Sequence, residues 1–262
     1  MYHFLFPTGS TPNEPDETFA DQYSAIIRAG FTGSFISDKV LAGVEALRDV
    51  PQDSTVVYRG WMTTADEYTT LVRAIDRAGG TPLVSPREYL GSHHLPNWYS
   101  LIAEFTPETK IFGADADLVA ELRALNWGSY FIKDYVKSLK SRRGSVVHDP
   151  SDGPAVVEEL REYRGRIEGG ICIRRFEDFT ADSEVRYFVL RGIAHAPVDG
   201  HVPDVVRICA DCIPSPFFSV DVARRQDGVL RIVEIGDGQV SDIVGWSATE
   251  FASLWLTSSQ QR

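Results

Sequence analysis

The 262-residue chain carries a formal net charge of −11, with 43% hydrophobic and 24% charged residues. Those values fit a globular protein with a full core, built as one large domain or two closely packed small ones. So acidic a balance opposes nonspecific binding to nucleic acid or an anionic membrane.

The first third alternates strand and helix patterns. YHFLF reads as a strand, and DETFADQYSAIIRAG as a helix closed by Gly30. TVVYRG is a second strand. TTADEYTTLVRAIDRAGG opens on Thr64 with Glu67 at capping-box spacing, and TPLVS is a third strand. This order predicts a small parallel sheet, whose ligands gather at the carboxyl ends of its strands. Arg59 stands directly after the second strand. Residues 86–110 read as the connection between halves, with His93 and His94 in an exposed linker rather than lining a substrate cleft with Trp98 and Tyr99. After the helix DADLVAELRALN the pattern becomes β-rich and α+β, with helical stretches near 152–164 and 203–212.

In FFSVDVARRQDGVLRIVEIG, Asp227-Gly228 predicts a two-residue type I′ turn. Such a turn opposes residues whose numbers sum to 455, so Asp221 faces Glu234. Two facing carboxylates in apolar strands are costly unless something neutralises them or one stays protonated, and Mg²⁺ neutralises them with one or two carboxylates plus phosphate oxygens and water. Asp237, just past the strand, is the candidate third ligand. The competing reading is a solvated face on which the pair is merely tolerated; a one-residue slip of the hairpin would break the pairing altogether.

Cations stand upstream. In SYFIKDYVKSLKSRRGS, Lys133 ends an apolar strand, and the loop after it carries Lys137, Lys140, Arg142 and Arg143. A strand-anchored lysine beside a basic loop suits a nucleoside triphosphate, although an isolated basic run is more often a solvated loop. Arg174 and Arg175 point to opposite faces of their strand, so only one can face the same site. SEVRYFVLRG puts Arg186 beside apolar neighbours, as a phosphate or carboxylate partner or as half of a cross-strand ion pair.

In this order the elements resemble the ATP-grasp superfamily, and FIKDYVKS, RRFEDF and VEIGDGQVS are most similar to a compact bacterial and phage branch of it. The resemblance covers residues 110–245 well and the N-terminal third loosely. The usual superfamily ending places an Asn two residues after the metal-binding Glu; here Gly236 stands there, and Asp237 is the substitute. The resemblance implies α/β plus α+β architecture: an N-terminal parallel α/β substrate subdomain over 1–105 and an ATP-grasp domain with antiparallel sheets over 106–262. It also implies a carboxylate–amine or carboxylate–thiol ligase that uses ATP and Mg²⁺ and passes through an acyl phosphate. Lys133 would contact ATP phosphate and adenine, and Lys137 the phosphates. The backbone around Arg175, Phe176 and Glu177 would hold adenine and ribose, with one of Arg174 and Arg175 facing the nucleotide. Arg186 would stabilise the transferring phosphoryl group, and Asp221, Glu234 and Asp237 would hold the metal. Arg59 is assigned to the incoming carboxylate, which a guanidinium grips bidentately. The expected partners are small-molecule or peptide carboxylates and amines, and a homodimer is compatible with the sequence. A phosphotransferase on the same scaffold, or a nucleotide-binding module without catalysis, are the rival readings.

No window nears the ~20 apolar residues of a membrane span, and MYHFLFPTGS lacks a signal peptide's basic flank and long apolar run. Three cysteines are an odd number and too few for a disulfide framework, so the expectation is a cytoplasmic protein. Cys209 and Cys212 read as core-packing residues of a helix rather than a zinc site, and GSTP near the start lacks the spacing of a P-loop.

Overall fold

The computed structural model describes residues 1–11, 13–138, 144–197 and 200–259. The chain runs β1 (Tyr2–Pro7), α1 (Ala20–Arg28), β2 (Thr32–Ile36), α2 (Asp38–Leu41), β3 (Thr55–Tyr58), α3 (Ala65–Arg77) and β4 (Thr81–Pro82). Next come α4 (Pro86–His93), α5 (Leu95–Tyr99), β5 (Thr109–Phe112), α6 (Leu118–Leu125), β6 (Tyr130–Asp134), β7 (Val146–Val147), α7 (Gly153–Arg164) and β8 (Ile171–Arg175). The last elements are β9 (Val185–Leu190), β10 (Ile193–His195), α8 (Asp204–Cys212), β11 (Phe217–Arg224), β12 (Leu230–Asp237) and α9 (Ala248–Ser259). No helix among the described residues is long and apolar enough to cross a membrane.

The chain divides into two compact units, one of residues 1–92, 186–220 and 236–262, the other of 93–185 and 221–235. The sequence suggests a break near residue 105. Packing instead groups segments from the C-terminal half with the N-terminal sheet, and the division cuts through β9, β11 and β12.

The first unit holds a parallel sheet in the order β2–β1–β3–β4. Its second strand in sequence, β2, is one the sequence pattern does not single out; Thr32, Gly33 and Ser34 dilute its apolar signal. The expected capping box of α3 is present: Glu67 N donates to Thr64 Oγ1 at 3.1 Å, and Thr64 N donates to Glu67 Oε2 at 2.7 Å. The core is aromatic, with Trp255 edge-on to Tyr2, Phe4, Phe217 and Phe251.

The second unit is built on an antiparallel sheet in the order β5–β8–β6–β7. In it Lys133 stands opposite Cys172, and Arg174 opposite both Thr109 and Phe131. Leu118 and Leu122 of α6 and Val156 and Leu160 of α7 pack with Ile132 and Ile173 of the sheet. The segment expected as an exposed linker is helical and largely buried: His93 is 5% exposed and Trp98 1%. Their aromatic and imidazole surfaces complete a core, a role their polar and proline-rich neighbours obscure.

The third sheet runs β10–β9–β11–β12. A type I′ turn does occur in it, but at Arg191-Gly192 (φ 51° and 78°), where Leu190 pairs with Ile193. At Asp227-Gly228 the turn is different. Gly228 N donates to Arg225 O and Arg225 N to Val229 O, each at 2.8 Å, and only Gly228 (φ 90°) is left-handed. This is a type I turn closed by a glycine bulge. It pairs Arg225 with Val229, so numbers sum to 454 at the tip. Asp227 is held by Arg225 at 2.9 and 2.6 Å, which lowers its carboxyl to about 2. Of the two cysteines in α8, Cys209 is buried as expected, but Cys212 is exposed.

Candidate active site

The slipped turn would by itself turn Glu234 away from Asp221, because strand side chains alternate with a period of two. A second irregularity restores the pairing. At the far end of the hairpin Gly238 N donates to Phe217 O, and a Cβ on Gly236 would lie 3.1 Å from Ser219 Oγ; both pairs sum to 455. One extra residue therefore lies within β12. The carbonyls of Ile232 and Val233 mark it: both accept from the touching pair Thr106 and Arg174, whereas consecutive carbonyls of a regular strand turn to opposite edges. The base of the hairpin thus keeps the 455 register, in which Glu234 is opposite Asp221.

Around Glu234 the second unit gathers cations. Lys133 Nζ lies 3.2 Å from Glu234 Oε1, with the lysine side chain 5% exposed and the glutamate 32%. Arg174 is buried, and burial lowers its guanidinium to about 10, with Glu234 acting in the opposite sense. Arg175 is exposed, so Arg174 is the inward arginine of the two. Asp134 shapes the turn after β6: its Oδ1 accepts from Val136 N at 2.8 Å and Lys137 N at 2.6 Å, fixing the backbone of Lys137. Lys140, Arg142 and Arg143 lie outside the described residues.

The expected adenine hinge is tied on several sides. Arg175 N donates to Glu108 O at 2.7 Å and Phe176 N to Ser129 O at 3.1 Å, while Phe176 as a residue is 38% exposed. Glu177, expected near the ribose, receives Arg231 Nε and Nη2, both at 2.9 Å. Arg231 also reaches Glu104 O and Thr106 O, at 2.7 and 2.6 Å. Arg231, Thr106 and Asp134 escape a reading of sequence alone. Each acts on backbone or on a distant partner, and only "IKDYVK", with an Asp before a turn, carries a local signal.

The remaining expected residues lie in the first unit. Arg186 Nη1 donates to Asp242 O at 2.8 Å. Arg59 is 1% exposed; its Nε donates to Gln22 Oε1 at 2.7 Å and its Nη1 to the carbonyls of Gly238 and Gln239 at 3.2 and 3.0 Å. Phe251 lies 4.8 Å beneath the guanidinium, and burial lowers it to about 10. Asp237 is fully buried, with Oδ1 accepting from Gln239 N at 3.0 Å and Gln239 Nε2 at 3.2 Å. Burial raises its carboxyl to about 7. Gln239, equally silent in the sequence, donates to Tyr68 Oη at 2.7 Å and accepts from Tyr58 N at 3.1 Å, so Asp237 Oδ1 is tied into a polar network, while its buried Oδ2 has no hydrogen-bond partner among the described residues.

Among the described residues no three His, Cys, Asp or Glu side chains gather as a metal cage. The opposed pair Asp221 and Glu234 nonetheless suits Mg²⁺, which takes one or two protein carboxylates and completes its shell with phosphate and water. The buried amine beside Glu234 suits the phosphates of the same ligand.

Comparisons with known proteins identify the fold and the family. A structure of D-cycloserine synthetase DcsG superposes with a TM-score of 0.66 at 13% identity, over 98% of this chain and 99% of that one. D-alanine–D-alanine ligase from Bacillus anthracis, complexed with ATP, gives 0.63 at 13% identity over 100% and 98%. The ATP-grasp ligase PsnB, complexed with minimal precursor, Mg and ADP, gives 0.62 at 11% over 99% and 98%. At such identities these likenesses establish the fold. No curated protein sequence matches. The family model of an ATP-grasp domain, the third family of its clade, matches residues 124–256, just over half of the sequence, and the chain belongs to that ATP-grasp family.

Proposed function

We propose that the protein is an ATP-dependent carboxylate–amine ligase that forms an amide or peptide bond with Mg²⁺ and ATP. The observation that carries this reading is the Lys133–Glu234 pair, with Arg174 buried beside it and Asp221 opposite Glu234, in a chain of ATP-grasp fold. Asp221 and Glu234 hold the metal, while Lys133 and Lys137 bind phosphate oxygens. The hinge at Arg175, Phe176 and Glu177 takes the base and ribose. Arg186 offsets charge on the transferring group. A substrate carboxylate oxygen bonds to the γ-phosphorus as the bond to ADP breaks. An amine then attacks the acyl carbon and inorganic phosphate leaves. Positioning and charge neutralisation carry such transfers, so no covalent nucleophile from the protein is required.

Two expected roles are reassigned. The partners of Arg59 suit holding the 238–239 backbone better than gripping an incoming carboxylate, and the full burial of Asp237 and its two bonds from Gln239 suit tying down the 237–239 turn better than a third metal ligand. Two structural neighbours are complexed with precursor peptides, the ATP-grasp ligase PsnB and the macrocyclase MdnC from Microcystis aeruginosa MRC; a peptide is accordingly the first substrate class to test. Incubation with ATP, Mg²⁺ and panels of small acids, amino acids and peptides tests the proposal. A new amide with ADP and free phosphate is the expected result. A stable phosphorylated product would make the protein a kinase, and nucleotide binding without turnover of any panel would leave a binding module.

A further inference from the structure

We infer that Arg174 and Thr106 are positioning residues that set the register of the strand carrying Glu234, and thereby the pairing of Glu234 with Asp221. The inference rests on the reading of those two carboxylates as the metal pair.

Three facts carry it. The hairpin tip is in the 454 register, in which Val233 would oppose Asp221 and Glu234 would project from the other face. The extra residue that corrects this lies where Ile232 and Val233 both give their carbonyls to one outside partner. That partner is a short chain of bonds. Arg174 Nη1 donates to Val233 O at 2.5 Å, Arg174 Nη2 to Thr106 Oγ1 at 2.6 Å, and Thr106 Oγ1 to Ile232 O at 2.7 Å.

Both members of the chain are fixed from behind. Thr106 is fully buried, and its carbonyl accepts from Arg231 at 2.6 Å. Arg174 is anchored mid-sheet by its pairing with Thr109 and Phe131. A bulge leaves carbonyls that the ladder cannot satisfy, and a buried carbonyl without a donor is costly. The Thr106 hydroxyl and the Arg174 fork supply those donors. Without them the strand loses its reason to bulge, and the 454 register extends to Glu234. Arg174 thus acts on the metal through β12, a different task from contacting the nucleotide.

The test is titration of a nonhydrolysable ATP analogue into the full chain, with and without Mg²⁺, for wild type, Thr106→Val, Thr106→Ser, Arg174→Lys and Glu234→Gln. Thr106→Val keeps shape but removes the hydroxyl. It is expected to lower the Mg²⁺-dependent gain in affinity by about tenfold or more, leaving metal-free affinity within about threefold. Thr106→Ser restores the gain. Arg174→Lys, which cannot serve both partners with a planar fork, loses it as well, and decides the matter if Thr106→Val does not fold. If Thr106→Val and Arg174→Lys keep the wild-type gain while Glu234→Gln loses it, the register inference is overturned and the metal assignment stands. If wild type shows no Mg²⁺-dependent gain, the metal assignment fails and takes the inference with it.

Discussion

Lys133 Nζ and Glu234 Oε1 stand 3.2 Å apart across 101 residues of sequence. The lysine is almost wholly buried and the glutamate about one-third exposed, so the pair has one face toward solvent or ligand. A strongly hydrated ammonium is desolvated on burial, and a carboxylate partner offsets that cost. The pair is therefore arranged to hold its charges in place before a ligand arrives.

Replacing Lys133 by Ala leaves Glu234 without this cation and removes a phosphate-binding charge. The expected result is a loss of ATP-analogue affinity of at least about tenfold, equivalent to ~1.4 kcal/mol, measured by calorimetric titration. Unchanged affinity would count against the nucleotide site placed here.

Asp221→Asn and Glu234→Gln each preserve shape and remove one negative charge. Both are expected to raise the Mg²⁺ concentration needed for half-maximal ligation by more than about tenfold, because a hard cation depends on anionic oxygen. Mg²⁺ titration of steady-state rates checks this, and variants that follow the wild-type curve would sink the metal assignment.

Acid stability should carry the signature of His93, lowered to about 3 by burial first and by His94 second. In the unfolded chain a histidine titrates near 6.5. Between those values the unfolded state binds more protons, so stability is lost as pH falls below about 6.5. By pH 5 the loss from this residue is on the order of 2 kcal/mol. Urea unfolding of wild type and His93→Gln at pH 7.5 and pH 5 should show a smaller difference for the variant; equal differences would refute the assignment.

Asp237 acts in the opposite sense, its carboxyl raised to about 7 by burial. The native state binds more protons than the unfolded one between roughly pH 4 and 7, so stability declines as pH rises through that window. Asp237→Asn keeps an oxygen for Gln239 and removes the ionisation. Its melting temperature should exceed that of wild type at pH 8 and approach it at pH 4.

Gly236 stands where the superfamily ending usually has Asn, and the space is taken. A Cβ there would lie 2.9 Å from Ser241 Oγ and 3.1 Å from Ser219 Oγ, and those hydroxyls are 2.7 Å apart. Gly236→Asn is expected to destabilise by about 1–3 kcal/mol through overpacking. In the Ser241→Ala background the penalty should shrink, a coupling that a double-mutant cycle measures directly.

Local chemistry is legible in the sequence wherever a residue acts through its neighbours. The capping box at Thr64 and Glu67, the helices α3, α6 and α8, and the strand holding Lys133 follow from spacing alone, because caps and amphipathic faces are set within a few residues. The order of cations and acids along the chain is equally legible and points to the ATP-grasp fold. The opposition of Asp221 and Glu234 also follows from a count along the hairpin. That count assumes a two-residue turn and no bulge, two departures that offset each other.

Tertiary structure decided the rest. Where the hairpin register shifts within β12 is invisible locally, because the carbonyls of Ile232 and Val233 are held by Thr106 and Arg174, more than a hundred and nearly sixty residues earlier. The depth at which Arg59, Asp237 and His93 sit is likewise invisible in sequence, because burial depends on what packs over a side chain from distant segments. Sequence determined which charges this protein carries and in what order. Only the fold decided which of them are desolvated, since desolvation is set by all the surrounding atoms at once.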